Sequence, residues 1–252
     1  MSDTVRVPTP FLPNTSPPAS PDTDYFQRSR RPLPMLVALL PLVLLVEFGL
    51  SWTPDGDATR VLARLQLQEL LEFFTLAPVV VVHALGGLVV LVLLVQHVLE
   101  KRPWRVRPLD PPLLLLEGCI AAVPLLVVGA ALLPVTTPLL AGASETSTAL
   151  LETLVVASAA ALSEELIFRM GGMSLIHWLT VDVLKLRAST GTTIAVVTTA
   201  VAFMLYHDPW SMNPQAATFI MVSGLYLGTL FAQRGFATAV LAHAAYDVIA
   251  LT

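Results

Sequence analysis

Long apolar runs dominate the chain, and most approach the roughly 20 residues that a helix needs to cross a bilayer. They lie at about 33–52, 76–99, 112–133, 149–169, 192–207, 214–233 and 236–251. The runs are continuous, so they favour membrane helices over the short alternating strands of a β-barrel. The chain is 55% hydrophobic and only 13% charged, whereas a soluble domain has about 25% charged residues. The sequence therefore predicts an all-α, polytopic transmembrane helix bundle of about seven spans.

The first 31 residues differ in composition from the rest, being rich in Pro, Ser, Thr and Asp. Such a segment cannot bury enough apolar surface to fold, which predicts a disordered tail over 1–31. No apolar h-region follows a short basic start, so a signal peptide is not expected. The two spans and linkers of 32–109 carry no motif. The candidate functional residues all fall in 110–252.

The basic residues predict how the chain is oriented, because cytoplasmic loops hold the excess of Lys and Arg. They precede the first run and follow the second, fourth and sixth, whereas the linker after the third has none. The residues concerned are Arg28, Arg30, Arg31, Lys101, Arg102, Arg105, Arg107, Lys185, Arg187 and Arg234. We therefore expect a multi-pass protein of the bacterial inner membrane with a cytoplasmic N-terminus.

The stretch "SEELIFR" places three charges inside an apolar run, where each costs roughly 2.5–3.5 kcal/mol on insertion scales. Glu165 and Arg169 are four residues apart and share a helix face, which favours an ion pair. Glu164 lies about 100° further round the helix. It is therefore free to face a cavity and to accept a proton near neutral pH. The alternative is a charged helix end at the membrane interface.

Two further polar groups lie in later runs. In "AFMLYHDPW", Phe203 and His207 share a face, although a lone intramembrane histidine is more often a satisfied core residue. In "LAHAAYDV", His243 and Asp247 are four apart. They are able to hold a metal, orient a water or bind an oxyanion, or simply to satisfy one another.

One segment does not fit a simple span count. A fourth span over 149–169 and a fifth entering near 192 place Glu164 and His207 toward opposite sides of the membrane. For them to meet, either a boundary must differ or 171–184 must dip into the bilayer as a re-entrant segment.

The three groups together form Glu-Glu-x-x-x-Arg, Phe-x-x-x-His and His-x-x-x-Asp, on separate apolar runs and in that order. In this the sequence resembles the CAAX prenyl protease and bacteriocin-processing (CPBP, Abi) family of intramembrane proteases. The resemblance covers about 110–251. It implies a CAAX-protease-like catalytic domain over 110–252.

The resemblance also implies roles for individual residues. Glu164 would be the general base that activates water, with His207 sharing that water. Glu165 and Arg169 would fix the helix and tune Glu164. Phe203 would pack the pocket wall.

The resemblance makes His243 the residue that stabilises the oxyanion, helped by position 247. The family commonly has Asn there, whereas this chain has Asp247, and an ionised acid cannot donate a hydrogen bond. Orienting His243 or ligating a metal are therefore alternative roles for this residue. No cofactor is favoured, and the alternative is zinc. Its ligands would be His207, His243, Asp247 and Glu164.

The expected partners are the lipid bilayer and a membrane-embedded or lipid-anchored peptide or protein substrate. Eukaryotic members of the family remove the last three residues of prenylated proteins. The net charge of −4 and the absence of a basic block exclude a nucleic-acid partner. Rival functions are a non-catalytic scaffold or bacteriocin-immunity-type protein of the same fold, and a proton-coupled transporter.

Overall fold

The computed structural model describes residues 24–52, 78–133 and 147–251, and in these ranges the chain forms helices without strands. The helices are α1 (Tyr25–Arg28), α2 (Pro32–Trp52), α3 (Pro78–Leu99), α4 (Asp110–Leu132), α5 (Ser147–Glu164), α6 (Ala188–Tyr206), α7 (Pro214–Arg234) and α8 (Phe236–Leu251). The predicted all-α fold is confirmed.

Four of the described helices are long and apolar enough to cross a membrane, namely α2 over Pro32–Gly49, α4, α6 and α7. Two further apolar helices are shorter, namely α8 and the part of α3 over Ala84–Leu99. The run predicted at 149–169 is helical too and lies in α5 and its continuation. This is an integral membrane helix bundle.

The predicted boundary of the fourth span is wrong, because the helix does not end near residue 169. Beyond α5 it continues through π-helical turns at Glu165–Met173, an α-helical turn at Ser174–His177 and further π-helical turns at Trp178–Val183. The segment 171–183 is therefore helical and continuous with α5. α6 returns antiparallel to this continuation, with Gly191 near Thr180 and Thr199 near Gly172. That return brings the C-terminal end of α6 beside the end of α5.

α8 lies at the centre of the bundle. Every residue from Phe236 to Ala244 is buried, and the helix packs against α2, α4, α5 and α7. A helix that is apolar all round is buried in protein or in lipid, and here neighbouring helices surround its first nine residues. Gly118 of α4 faces Leu241 so closely that a Cβ there would overlap the leucine side chain. Small residues thus let α4 approach α8.

Residues 24–31, which the sequence assigned to the disordered tail, are folded onto the bundle. The Arg28 guanidinium pairs with Asp110 at the start of α4, at 3.0 Å, and the Tyr25 hydroxyl donates to Glu117. These partners lie more than 80 positions away in the sequence, so tail composition alone did not reveal them. The remainder of the predicted tail lies outside the described residues.

Candidate active site

The ion pair predicted between Glu165 and Arg169 is present and fully buried. Glu165 Oε1 lies 3.1 Å from Arg169 Nη1, and the two side chains are 0% and 1% exposed. Arg169 also donates from Nη2 to the Gly224 carbonyl of α7 at 3.4 Å. Its guanidinium lies over the Phe203 ring of α6, 4.5 Å from the centroid. The π-helical turns that hold this pair are of a kind often found at functional sites.

The same glutamate has a second partner that the sequence did not predict. Glu165 Oε1 accepts a hydrogen bond from His243 Nδ1 of α8 at 2.9 Å. One carboxylate oxygen is therefore shared between a guanidinium on its own helix and an imidazole on another. The two residues are 78 positions apart, so no spacing rule could have paired them.

Glu164 is also buried, at 6% exposure, but its nearest charged or titratable neighbours are further away. Its Oε2 lies 3.7 Å from His243 Nε2, and its Oε1 lies 3.9 Å from His207 Nε2. Both distances are too long for a direct hydrogen bond. A gap of this size is one that a single water can bridge. The structure thus brings Glu164 and His207 together, as catalysis would require.

His207 is held in one orientation by the backbone of α6. Its Nδ1 donates to the Phe203 carbonyl at 2.8 Å, which leaves the lone pair of a neutral ring on Nε2. That nitrogen is the one facing Glu164. The Phe203 ring packs edge-on against the imidazole, with 4.6 Å between centroids.

Asp247 lies one helical turn beyond His243, as the His-x-x-x-Asp spacing predicts. Its Oδ2 is 3.4 Å from His243 Nε2. Both ring nitrogens of His243 therefore face carboxylate oxygens, an arrangement that a ring with two N–H donors satisfies.

A cavity of about 180 Å³ opens beside these groups between α4, α6, α7 and α8. It is lined by Leu125, Phe203, His207, Phe219, Ile220, Ser223, Leu227, His243, Tyr246 and Asp247. Glu164 is not among the residues that line this cavity. The two imidazoles that approach Glu164 line the cavity instead. Sequence reasoning did not select Ser223 or Tyr246, because neither belongs to a motif.

The residues of the alternative zinc site lie in the same cluster. The Nδ1 atoms of both histidines are engaged, one by the Phe203 carbonyl and one by Glu165, which leaves Nε2 of each ring available as a ligand, as in most metal-ligating histidines. Among the described residues, no group of three or more His, Cys, Asp or Glu side chains is placed to hold a metal ion. Metal dependence therefore stays a prediction, which chelation tests.

Fold and site together define a class of protein: a helical membrane protein with a buried carboxylate–imidazole cluster. Residues 146–249 match the family model of the type II CAAX prenyl endopeptidases, described as Rce1-like. This match, over the segment that holds the site, confirms the family resemblance that the motifs indicated. No curated protein and no solved structure matches the chain.

The Glu165–Arg169 pair makes a specific prediction for stability. Arg169→Gln leaves the buried Glu165 carboxylate without its guanidinium, and we expect it to lower the free energy of unfolding by about 3–5 kcal/mol. The matched control is Arg102→Gln, which breaks an ion pair with Glu100 whose side chains are 21% and 23% exposed. That change should cost at most about 1 kcal/mol. Denaturant unfolding in detergent measures the free energy of unfolding of both variants. Equal losses in the two variants would contradict a stabilising role for the buried Glu165–Arg169 pair.

Proposed function

We propose that this protein is an intramembrane endopeptidase that hydrolyses peptide bonds of membrane-associated substrates with a water activated by Glu164 and His207. One observation carries the proposal, namely the different surroundings of two adjacent glutamates. Glu165 is ion-paired at 3.1 Å, whereas Glu164 faces two imidazole Nε2 atoms at 3.7 and 3.9 Å. A buried carboxylate beside hydrogen-bonding side chains is the arrangement of a general base.

The proposed first step is addition of water to the scissile carbonyl. Glu164 takes one proton from the water as the oxygen bonds to the carbonyl carbon, and the carbonyl π electrons move to its oxygen. His207 holds the same water, since its Nε2 lone pair is the acceptor facing Glu164. The product is a tetrahedral oxyanion, with the proton on Glu164.

In the second step the oxyanion collapses and the C–N bond breaks. The protonated Glu164 gives its proton to the departing amine, which leaves a new carboxyl group and a new amino group. Atoms and charge balance without a further reactant. Glu164 returns to its starting carboxylate and is ready for the next water.

His243 is the proposed donor to the oxyanion. Glu165 holds its Nδ1 at 2.9 Å, which leaves Nε2, at the cavity wall, to donate to developing charge. A preorganised donor of this kind contributes about 2.7–4 kcal/mol of transition-state stabilisation. In the free protein Asp247 lies 3.4 Å from that nitrogen and orients the ring as an acceptor, and the Nε2–H turns to the oxyanion when it forms.

The family match supports a protease of the CAAX type acting on membrane-associated substrates. We propose that those substrates are lipid-anchored or membrane-embedded peptides, because the cavity lies inside a bundle of membrane helices. Such a location lets a substrate reach the site from the bilayer.

Removing the base tests the proposal. We expect Glu164→Gln to lower the rate of peptide cleavage by about 10²–10⁴-fold, the usual contribution of a general base. The control is Glu152→Gln, the same substitution three turns earlier on α5, which should retain activity. The assay uses purified protein in detergent and a library of prenylated and unprenylated peptides.

A chelator arm separates this mechanism from a metal-dependent one. Glutamate-activated water predicts that wild-type cleavage persists in chelator. Loss of activity in chelator, restored by added zinc, would contradict it. Equal cleavage by Glu164→Gln and wild type would overturn the assignment of Glu164, and a wild type that cleaves no peptide would favour a scaffold.

The Asp247 assignment gives a separate prediction. Asp247→Asn keeps an oxygen that can accept a bond from His243, so we expect cleavage within about threefold of wild type. Asp247→Ala removes the acceptor and should lower kcat by about tenfold, the equivalent of one hydrogen bond of about 1.4 kcal/mol. If Asn at this position were as damaging as Ala, the negative charge and not the acceptor would be the essential feature.

A further inference from the structure

The wall that α7 contributes to the cavity is apolar except at one position. Phe219, Ile220 and Leu227 line the cavity together with Ser223. These residues lie on one side of α7, spaced by about one and two helical turns. Ser223 is therefore a single hydroxyl set in an apolar surface beside the proposed catalytic groups.

The Ser223 hydroxyl lacks the partner that most other helix hydroxyls here have. Ser163, Thr199 and Thr229 each donate to a carbonyl four residues earlier, at 2.7 to 2.8 Å. Thr229 lies on α7 itself, so the helix permits this bond. The Ser223 Oγ is buried and has no hydrogen-bond partner among the described residues.

A buried hydroxyl without a partner is costly, because leaving a donor unsatisfied costs about 1–3 kcal/mol. A bound molecule that accepts a hydrogen bond from this hydroxyl recovers that free energy. Serine is unbranched at Cβ, and its hydroxyl rotates among three staggered positions. The cavity wall thus presents a donor that is unused in the free protein.

The size and lining of the cavity indicate what the acceptor is. A cavity of about 150 Å³ accommodates benzene in another protein, so the 180 Å³ here has room for one apolar side chain. The peptide group that carries this side chain must enter with it. Inside a membrane bundle its carbonyl finds no bulk water and needs a protein donor.

We propose that Ser223 is a substrate-binding residue whose hydroxyl donates to a backbone carbonyl of the substrate next to the scissile bond. The apolar residues around it receive the adjoining side chain. This inference rests on the proposed function, since it assigns the substrate contact of the same site. It adds a residue outside the three motifs.

Binding tests Ser223 independently of hydrolysis. The probe is a fluorescein-labelled peptide ending in a farnesylated cysteine followed by Val-Leu-Ser, titrated into full-length Glu164→Gln protein in detergent micelles. Adding Ser223→Ala to this background should raise Kd by about three- to tenfold, the value of one neutral hydrogen bond. In the wild-type background, Ser223→Ala should raise KM and leave kcat nearly unchanged, as expected for uniform binding.

The matched control is Thr238→Val on α8. Thr238 also carries a buried hydroxyl without a hydrogen-bond partner among the described residues, but it is not among the residues that line the cavity. Removing its hydroxyl should leave Kd unchanged. Both substitutions should leave the melting temperature at or above that of the parent, because each removes an unsatisfied group.

A modified probe identifies the backbone as the acceptor. Replacing the amide adjacent to the scissile one with an ester weakens that carbonyl as an acceptor and leaves the scissile amide unchanged. This change should raise Kd in the protein with Ser223 and have little effect in Ser223→Ala. Additive effects of the two changes would overturn the backbone assignment.

The outcomes separate this inference from the proposed function. Unchanged Kd in Ser223→Ala overturns the inference alone. A probe that binds through Ser223 but is never cleaved by the wild type supports the inference and contradicts hydrolysis. Failure of the probe to bind at all overturns the inference for prenylated peptides.

Discussion

The burial of the Glu165 carboxylate is the constraint on which the rest of the site depends. Removing a charge from water costs several kcal/mol, and only close partners offset it. Glu165 obtains them from Arg169 on its own helix and from His243 on α8. Arg169 in turn reaches the Gly224 carbonyl of α7 and the Phe203 ring of α6. The contacts of Glu165 and its partner Arg169 thus connect four helical segments: α6, α7, α8 and the continuation of α5. Every proposed catalytic group lies on one of these segments or directly at its end.

This arrangement explains how two adjacent glutamates serve different purposes. Helical geometry turns Glu164 away from Arg169, so the guanidinium neutralises one carboxylate and not the other. Glu164 is left beside imidazole nitrogens at distances that suit a bridging water. The structural charge and the proposed catalytic charge are neighbours in sequence because the first fixes the position of the second. His243 links them, since it contacts both.

The sequence predicted features that depend on local spacing and missed those that depend on contact between helices. Apolar runs gave the positions of α2, α4, α7 and α8 to within a few residues, because bilayer thickness sets their length. The four-residue spacings predicted the Glu165–Arg169 pair and the proximity of His243 to Asp247. No local rule reveals the bond between Glu165 and His243 or the position of Ser223. The fourth run was predicted to end too early because the helix continues past its charged turn, where Glu165 and Arg169 are paired and buried.

The melting temperatures of Glu164→Gln and Glu165→Gln, compared in the same detergent, test most directly whether the two glutamates have separate roles. Our account predicts that Glu165→Gln melts well below wild type. The substitution leaves Arg169 as an unpaired buried charge, which destabilises the fold by about 3–5 kcal/mol. It predicts that Glu164→Gln melts at or above wild type, because the lost carboxylate has no direct ion pair with Arg169 and lies near two other acids. Equal destabilisation by both substitutions, or a larger loss for Glu164→Gln, would contradict it.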